Sequence, residues 1–137
     1  MLQKVESCTN ITTMHDLQIL EATIKTSIPD SLKALIIAPP TITHGRNRFL
    51  RISDGFEQEN SLHRFLTTDQ MLAGWLALID DADFAGEHIL QFAETLGNPM
   101  ICIGIAEHNK GAIIVFDYDL YATRVACSME EFLRMLY

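Results

Sequence analysis

The sequence is poor in cysteine, in basic residues and in long apolar runs, and each shortage excludes a class of protein. Its three cysteines are an odd number at irregular spacing, which argues against a disulfide framework and favours a reducing compartment with all three thiols free. The longest nearly unbroken apolar run, Met71–Ile79, is far shorter than the about 20 residues that a membrane-spanning helix needs. The first fourteen residues contain no apolar segment typical of a secretory signal. We therefore expect a cytoplasmic protein with no membrane association.

Basic residues are outnumbered by acidic ones, ten against eighteen, which gives a formal net charge of −8 at pH 7. Because proteins bind the phosphate backbone with clustered Lys and Arg, this balance argues against direct binding of nucleic acid. An acidic field speeds encounter with a basic protein partner instead. Arg46, Arg48 and Arg51 form the one basic cluster, and we interpret it as a solvated strand face balanced by nearby carboxylates.

The remaining composition is typical of one globular domain. Apolar residues make up 48% of the 137 residues and charged residues 20%. A chain of this length buries enough surface to fold without disulfides or bound metal ions. We expect residues 1–12 to be a flexible lead-in and residues 13–137 to form a single domain.

Apolar spacing and capping residues predict helices and short strands in the first two thirds of the chain. Leu17, Leu20 and Ile24 recur at helical spacing, and Thr13 is a candidate cap before them. The predicted elements are a helix at about Asp16–Thr26, a helix from Pro29 that ends before Pro39, strands at Arg48–Ile52 and Ser61–Leu66, a helix from Thr67 or Thr68 to Ile79, and a helix at Glu87–Leu96.

The last forty residues predict a meander followed by a terminal helix. Apolar strands are predicted at Met100–Ala106, Ala112–Phe116 and Leu120–Ala126, with turns between them, and Ser128 is placed to cap a helix. Helices at both ends and a meander between them indicate the α+β class, with a mainly antiparallel sheet and flanking helices.

The residues that carry chemistry form no recognisable catalytic pattern. The five histidines lack the spacing of a helical zinc motif, and no phosphate loop, dinucleotide fingerprint or nucleophile elbow is present. Cys102 and Cys127 lie among apolar neighbours and are expected to be buried. Asp117 and Asp119 are typical of a hairpin turn. We therefore assign no catalytic residue, no metal ligand and no cofactor.

The order of several segments resembles the SUKH superfamily, which includes the Smi/Knr-like proteins. "LQILEATIKTSIPDSLKALII" is similar to the opening helices of that family, and "ICIGIAEHNKGAIIVFDYDLYATRVACSMEEFLRML" is similar to its closing unit. In the middle of the chain, "FLRISDGFEQENSLHRFLT" is compatible with the early strands of the family. The matching positions in the closing unit are Ile103, Gly104, Gly111, Asp117, Ser128, Glu130, Glu131, Phe132 and Leu133.

The resemblance implies a non-catalytic protein-binding domain. Bacterial members of the superfamily are often immunity proteins that bind and neutralise a toxin, frequently a nuclease. We therefore expect an immunity protein that occludes a basic toxin with an acidic surface. Two alternatives stay open: a general interaction or scaffold module, and a small enzyme with a His and Asp site assembled in space. The candidate contact residues are the carboxylates between two predicted helices, Asp80, Asp81, Asp83 and Glu87.

Overall fold

The structure is a computed structural model and describes residues 14–43 and 45–137. The predicted flexible lead-in, residues 1–12, and the candidate cap Thr13 lie outside the described residues. In chain order the elements are α1 (residues 14–24), α2 (Asp30–Ile37), β1 (Arg48–Ser53), β2 (Phe56–Phe65), α3 (Thr68–Leu78), α4 (Ala82–Ala85), β3 (Ile89–Thr95), β4 (Met100–Gly104), β5 (Ile113–Asp117), β6 (Tyr121–Ala126) and α5 (Met129–Met135).

The six strands form one antiparallel sheet in the order of the sequence, β1 to β6. The sheet curls, so that β1 at one edge also contacts β6 at the other. The α+β class with a mainly antiparallel sheet and flanking helices is thus confirmed. Asp54 and Gly55 join β1 to β2. Both have positive φ, 51° and 79°, as a two-residue hairpin turn of type I′ requires.

The core lies on both faces of the sheet. In β5 the odd positions Ile113 and Val115 belong to the larger apolar cluster, whereas Ile114 and Phe116 belong to a smaller one. Since successive side chains of a strand point to opposite faces, the two clusters lie on opposite sides of the sheet. Buried residues of α1, α2, α5 and the first half of α3 complete the larger cluster. Phe84 of α4 completes the smaller one.

The predicted terminal helix is present as α5, and Phe132 anchors it to the sheet. Phe132 is fully buried, and its ring meets that of Phe49 of β1 edge-on, with the centroids 5.2 Å apart. The Ser128 side chain accepts a hydrogen bond from the Glu131 N–H at 3.1 Å, which confirms Ser128 as the N-cap. α5 therefore packs directly on the curled edge of the sheet.

The helix predicted at Glu87–Leu96 is wrong, because most of this segment forms β3 at the centre of the sheet. The pairing of β3 with β4 shifts register between Gln91 and Ala93, and a bulge of this kind adds a residue to one strand. The buried positions therefore recur as Ile89, Leu90, Phe92, Ala93 and Thr95. Spacings of one and three residues are also those of an amphipathic helix, so the bulge gave a strand the apolar pattern of a helix.

Gly104 is required because the turn after β4 folds back onto it. A Cβ at this position would lie 2.1 Å from the carbonyl oxygen of Asn109. The buried Asn109 side chain accepts a hydrogen bond from the Ala106 N–H at 3.0 Å and donates one to the Glu87 carbonyl at 3.1 Å. The Ile-Gly step of the sequence thus has a steric cause.

Candidate functional site

The four predicted contact carboxylates, here called the acidic patch, lie around the short helix α4. Asp80 and Asp83 are exposed, and Asp81 and Glu87 are half-buried. Asp81 is the N-cap of α4, since its Oδ1 accepts hydrogen bonds from the N–H groups of Asp83 at 3.0 Å and of Phe84 at 3.4 Å. The segment therefore begins a new helix. Asp80, Asp81 and Asp83 stand at its N-terminal end, where negative charge is favoured, whereas Glu87 lies just after its C-terminal end.

Two exposed tyrosines pack against Phe116, and one of them, Tyr118, contacts the acidic patch. The Tyr118 hydroxyl donates a hydrogen bond to Asp81 Oδ2 at 2.8 Å. This bond holds the pKa of Asp81 below its usual range and raises that of Tyr118. Tyr118 and Tyr121 are each 49% exposed and meet the buried Phe116 ring edge-on. No sequence pattern indicates this contact, because Asp81 and Tyr118 are 37 positions apart.

The interpretation of Arg51 as part of a solvated strand face is wrong. Its side chain is fully buried and forms an ion pair with Asp117. The guanidinium also donates hydrogen bonds to Thr123 Oγ1 at 3.0 Å and to the carbonyl oxygens of Val115 and Tyr121. It thereby ties β1 to β5 and β6. Arg48, by contrast, is exposed as predicted.

Asp117 holds both the ion pair and the hairpin that joins β5 to β6. Its Oδ1 accepts hydrogen bonds from the N–H groups of Asp119 at 2.9 Å and Leu120 at 2.6 Å, so the predicted turn is confirmed. Burial opposes ionisation of this carboxyl, but the hydrogen bonds from Leu120, Arg51 and Asp119 and the charge of Arg51 outweigh it and lower its pKa. Asp117 therefore stays ionised, with both oxygens engaged.

Of the two cysteines predicted to be buried, only one is buried. Cys102 is fully buried as predicted, and burial raises the pKa of its thiol. Cys127 is exposed, so its predicted burial is wrong. It lies just after β6, where side chains alternate between faces, and the adjacent Ala126 takes the buried position. The apolar neighbours of Cys127 in the sequence therefore do not indicate that its own side chain is buried.

The histidines and carboxylates are dispersed. His88 and His108 are near neighbours, with ring centroids 5.9 Å apart. Within residues 14–43 and 45–137, no group of three or more His, Cys, Asp or Glu side chains is placed to hold a metal ion. Over the same residues, no helix has the length and apolar character needed to cross a membrane.

The comparison with known families identifies the fold. The chain matches the family described as SMI1 / KNR4 family (SUKH-1) over residues 12–135. No curated protein matches the chain. Because the match covers nearly the whole sequence, the chain belongs to this family, and the resemblance inferred from the sequence is confirmed.

Proposed function

Because the chain belongs to the SMI1 / KNR4 family, we propose that it is a non-catalytic binding domain of the cytoplasm. We propose further that it is an immunity protein that neutralises a cognate basic toxin, such as a nuclease, by binding it. The observation that carries the proposal is the family match over residues 12–135. The net charge of −8 adds the preference for a basic partner.

The acidic patch is the surface proposed to meet that partner. The exposed carboxylates of Asp80 and Asp83 stand beside Asp81, whose pKa is held below its usual range by the hydrogen bond from Tyr118. The neighbouring side chain of Tyr118 is half exposed, and tyrosines often dominate the binding energy of protein interfaces. Carboxylates around an aromatic residue would attract a cationic surface and then cover it.

The proposal is tested by capture of the partner and by protection of cells. The tagged full chain is used as bait in lysate of the source cells, and the captured protein is then expressed with and without the chain. We expect capture of a basic protein that arrests growth alone and not in co-expression. Capture of only acidic proteins or nucleic acid, or continued toxicity during co-expression, would overturn the proposal.

Charge reversal then tests the acidic patch against a matched control. Asp80→Lys/Asp83→Lys should slow association with the captured partner more than it speeds dissociation, since charges at the rim of an interface act on encounter. Glu57→Lys/Glu130→Lys makes the same change in net charge at exposed residues of β2 and α5. Equal slowing by the two double variants would show that net charge alone, and not the acidic patch, guides association.

A further inference from the structure

A polar cleft of about 380 Å³ opens beside the buried ion pair. It is lined by residues 58–61 of β2, by residues 95–99 where β3 leads to β4, and by Asp117 and Asp119. Its volume lies within the range of pockets that enclose small ligands or a few side chains. No residue of the acidic patch lines the cleft, but the two surfaces are neighbours, since Tyr118, which bonds Asp81, lies between Asp117 and Asp119 in the sequence.

Two residues that line the cleft, Gln58 and Asn60, each have one buried amide atom without a hydrogen-bond partner among the described residues. Asn60 is only 8% exposed. Neither its Nδ2 nor Gln58 Oε1 has a hydrogen-bond partner among the residues that the structure describes. Both side chains lie on the same face of β2, because they are two residues apart in a strand. Since an unpaired buried polar atom destabilises a fold, the pair indicates a surface shaped for a ligand.

The rim of the cleft is acidic. The ionisable residues lining it, Glu59, Asp117 and Asp119, are all carboxylates. Asp117 is neutralised by Arg51, and Glu59 lies 3.7 Å from Arg48. Asp119 is exposed and forms no ion pair with any residue that the structure describes. Leu96, which is 69% exposed, adds an apolar surface at the rim.

We propose that the cleft binds a peptide segment of the partner that carries a Lys or Arg side chain, a proposal that rests on the binding function above. A peptide group has one N–H and one C=O, which complement the unpaired Gln58 Oε1 and Asn60 Nδ2. The basic head group pairs with Asp119, while its aliphatic stem lies on Leu96. The acidic patch then guides encounter, and the polar cleft holds the complex.

A blocked tripeptide tests the cleft without knowledge of the partner. Acetyl-Gly-Arg-Gly-amide is titrated into the full chain to about 10 mM, a range suited to a fragment that makes a few hydrogen bonds. The side-chain amide NMR signals of Gln58 and Asn60 are followed, with acetyl-Gly-Glu-Gly-amide as the control. We expect shifts with the Arg peptide only. No shift of these two signals, or equal shifts with both peptides, would overturn the proposal.

Two variants separate binding from folding. Asp119→Asn should weaken binding of the Arg peptide about two- to fivefold, as loss of an exposed ion pair does. The isosteric change Asp30→Asn, at an exposed residue of α2 outside both the cleft and the acidic patch, should leave binding unchanged. Asn60→Leu should weaken binding about two- to tenfold and leave resistance to urea unchanged or higher, because it removes an unpaired buried amide. A large loss of resistance to urea would mean that Asn60 serves the fold, and the proposal would fail.

The captured partner distinguishes this proposal from the proposed function. Asn60→Leu and Asp119→Asn should speed dissociation of the partner and leave its association rate near that of the parent chain. A captured basic partner that dissociates from both variants at the parent rate would overturn the cleft and leave the function standing. Binding of the Arg peptide at Gln58 and Asn60 with no basic partner captured would overturn the function and leave the cleft standing.

Discussion

Replacement of Arg51 by Met should be among the most damaging single changes in the described chain. Met approximates the length of the Arg stem and removes four hydrogen bonds, to Thr123, Asp117, Val115 and Tyr121. It also leaves the Asp117 carboxylate buried without its cation. Removal of one partner of a buried ion pair costs about 3–5 kcal/mol, and we expect a loss of this size in the free energy of unfolding.

A double-mutant cycle separates the ion pair from the other contacts of Arg51. Asp117→Asn should also cost about 3–5 kcal/mol, because it leaves a buried guanidinium without a counter-charge. Arg51→Met/Asp117→Asn leaves neither charge unpaired, so its loss should be smaller than the sum of the single losses by about 1–3 kcal/mol. Urea unfolding measures all three variants, with the slope checked for two-state behaviour.

Arg64→Met is the matched control. Arg64 of β2 forms two hydrogen bonds with Glu94 of β3, at 2.8 Å and 3.1 Å, but its side chain is 51% exposed. An exposed pair of this kind contributes about 0.2–1 kcal/mol. If Arg51→Met costs no more than Arg64→Met, or if the losses in the cycle simply add, the assigned role of the buried pair is refuted.

The other predictions concern the core, the cap, the thiols and acid stability. Phe132→Ala should cost about 3–5 kcal/mol in urea unfolding and Ser128→Ala only about 1 kcal/mol; equal, negligible losses would mean that α5 does not pack on the sheet. In the native protein, a thiol reagent should react with the exposed Cys127, whereas the buried Cys102 should react only after unfolding. Rapid labelling of Cys102 in the native protein would contradict this prediction. The lowered pKa of Asp117 stabilises the fold above about pH 3.9, and this contribution is lost as the pH falls through the pKa in the folded state. Below about pH 4 the parent should therefore lose stability more steeply than Asp117→Asn, and parallel curves would refute this.

Local patterns in the sequence predicted most elements because their causes are local. Thr67 caps α3 through a capping box with Gln70, and Asp54-Gly55 fixes the first hairpin. β3 was mispredicted since its bulge is set by pairing with β4, which a single segment does not encode. The α+β class could be predicted because the closing strands and α5 have clear patterns of their own.

The candidate site was predictable only in part, because its contacts join distant segments. The carboxylates of the acidic patch could be selected by their clustering in sequence, whereas the role of Asp81 as the cap of α4 and partner of Tyr118 required the fold. The burial of Arg51 follows the alternation of β1, in which Phe49 also faces inward. Its partner Asp117 lies 66 residues away, so charge alone favoured the solvent-exposed interpretation.

The most direct test of the account is the association rate of the chain with its captured partner as a function of salt. Between 0.01 M and 0.1 M ionic strength the Debye length falls from about 30 Å to about 10 Å. If an acidic surface guides a basic partner, the association rate should fall steeply over this range, and Asp80→Lys/Asp83→Lys should flatten the dependence. An association rate that does not change with salt, or that rises with it, would contradict the claim that opposite charges bring the partners together.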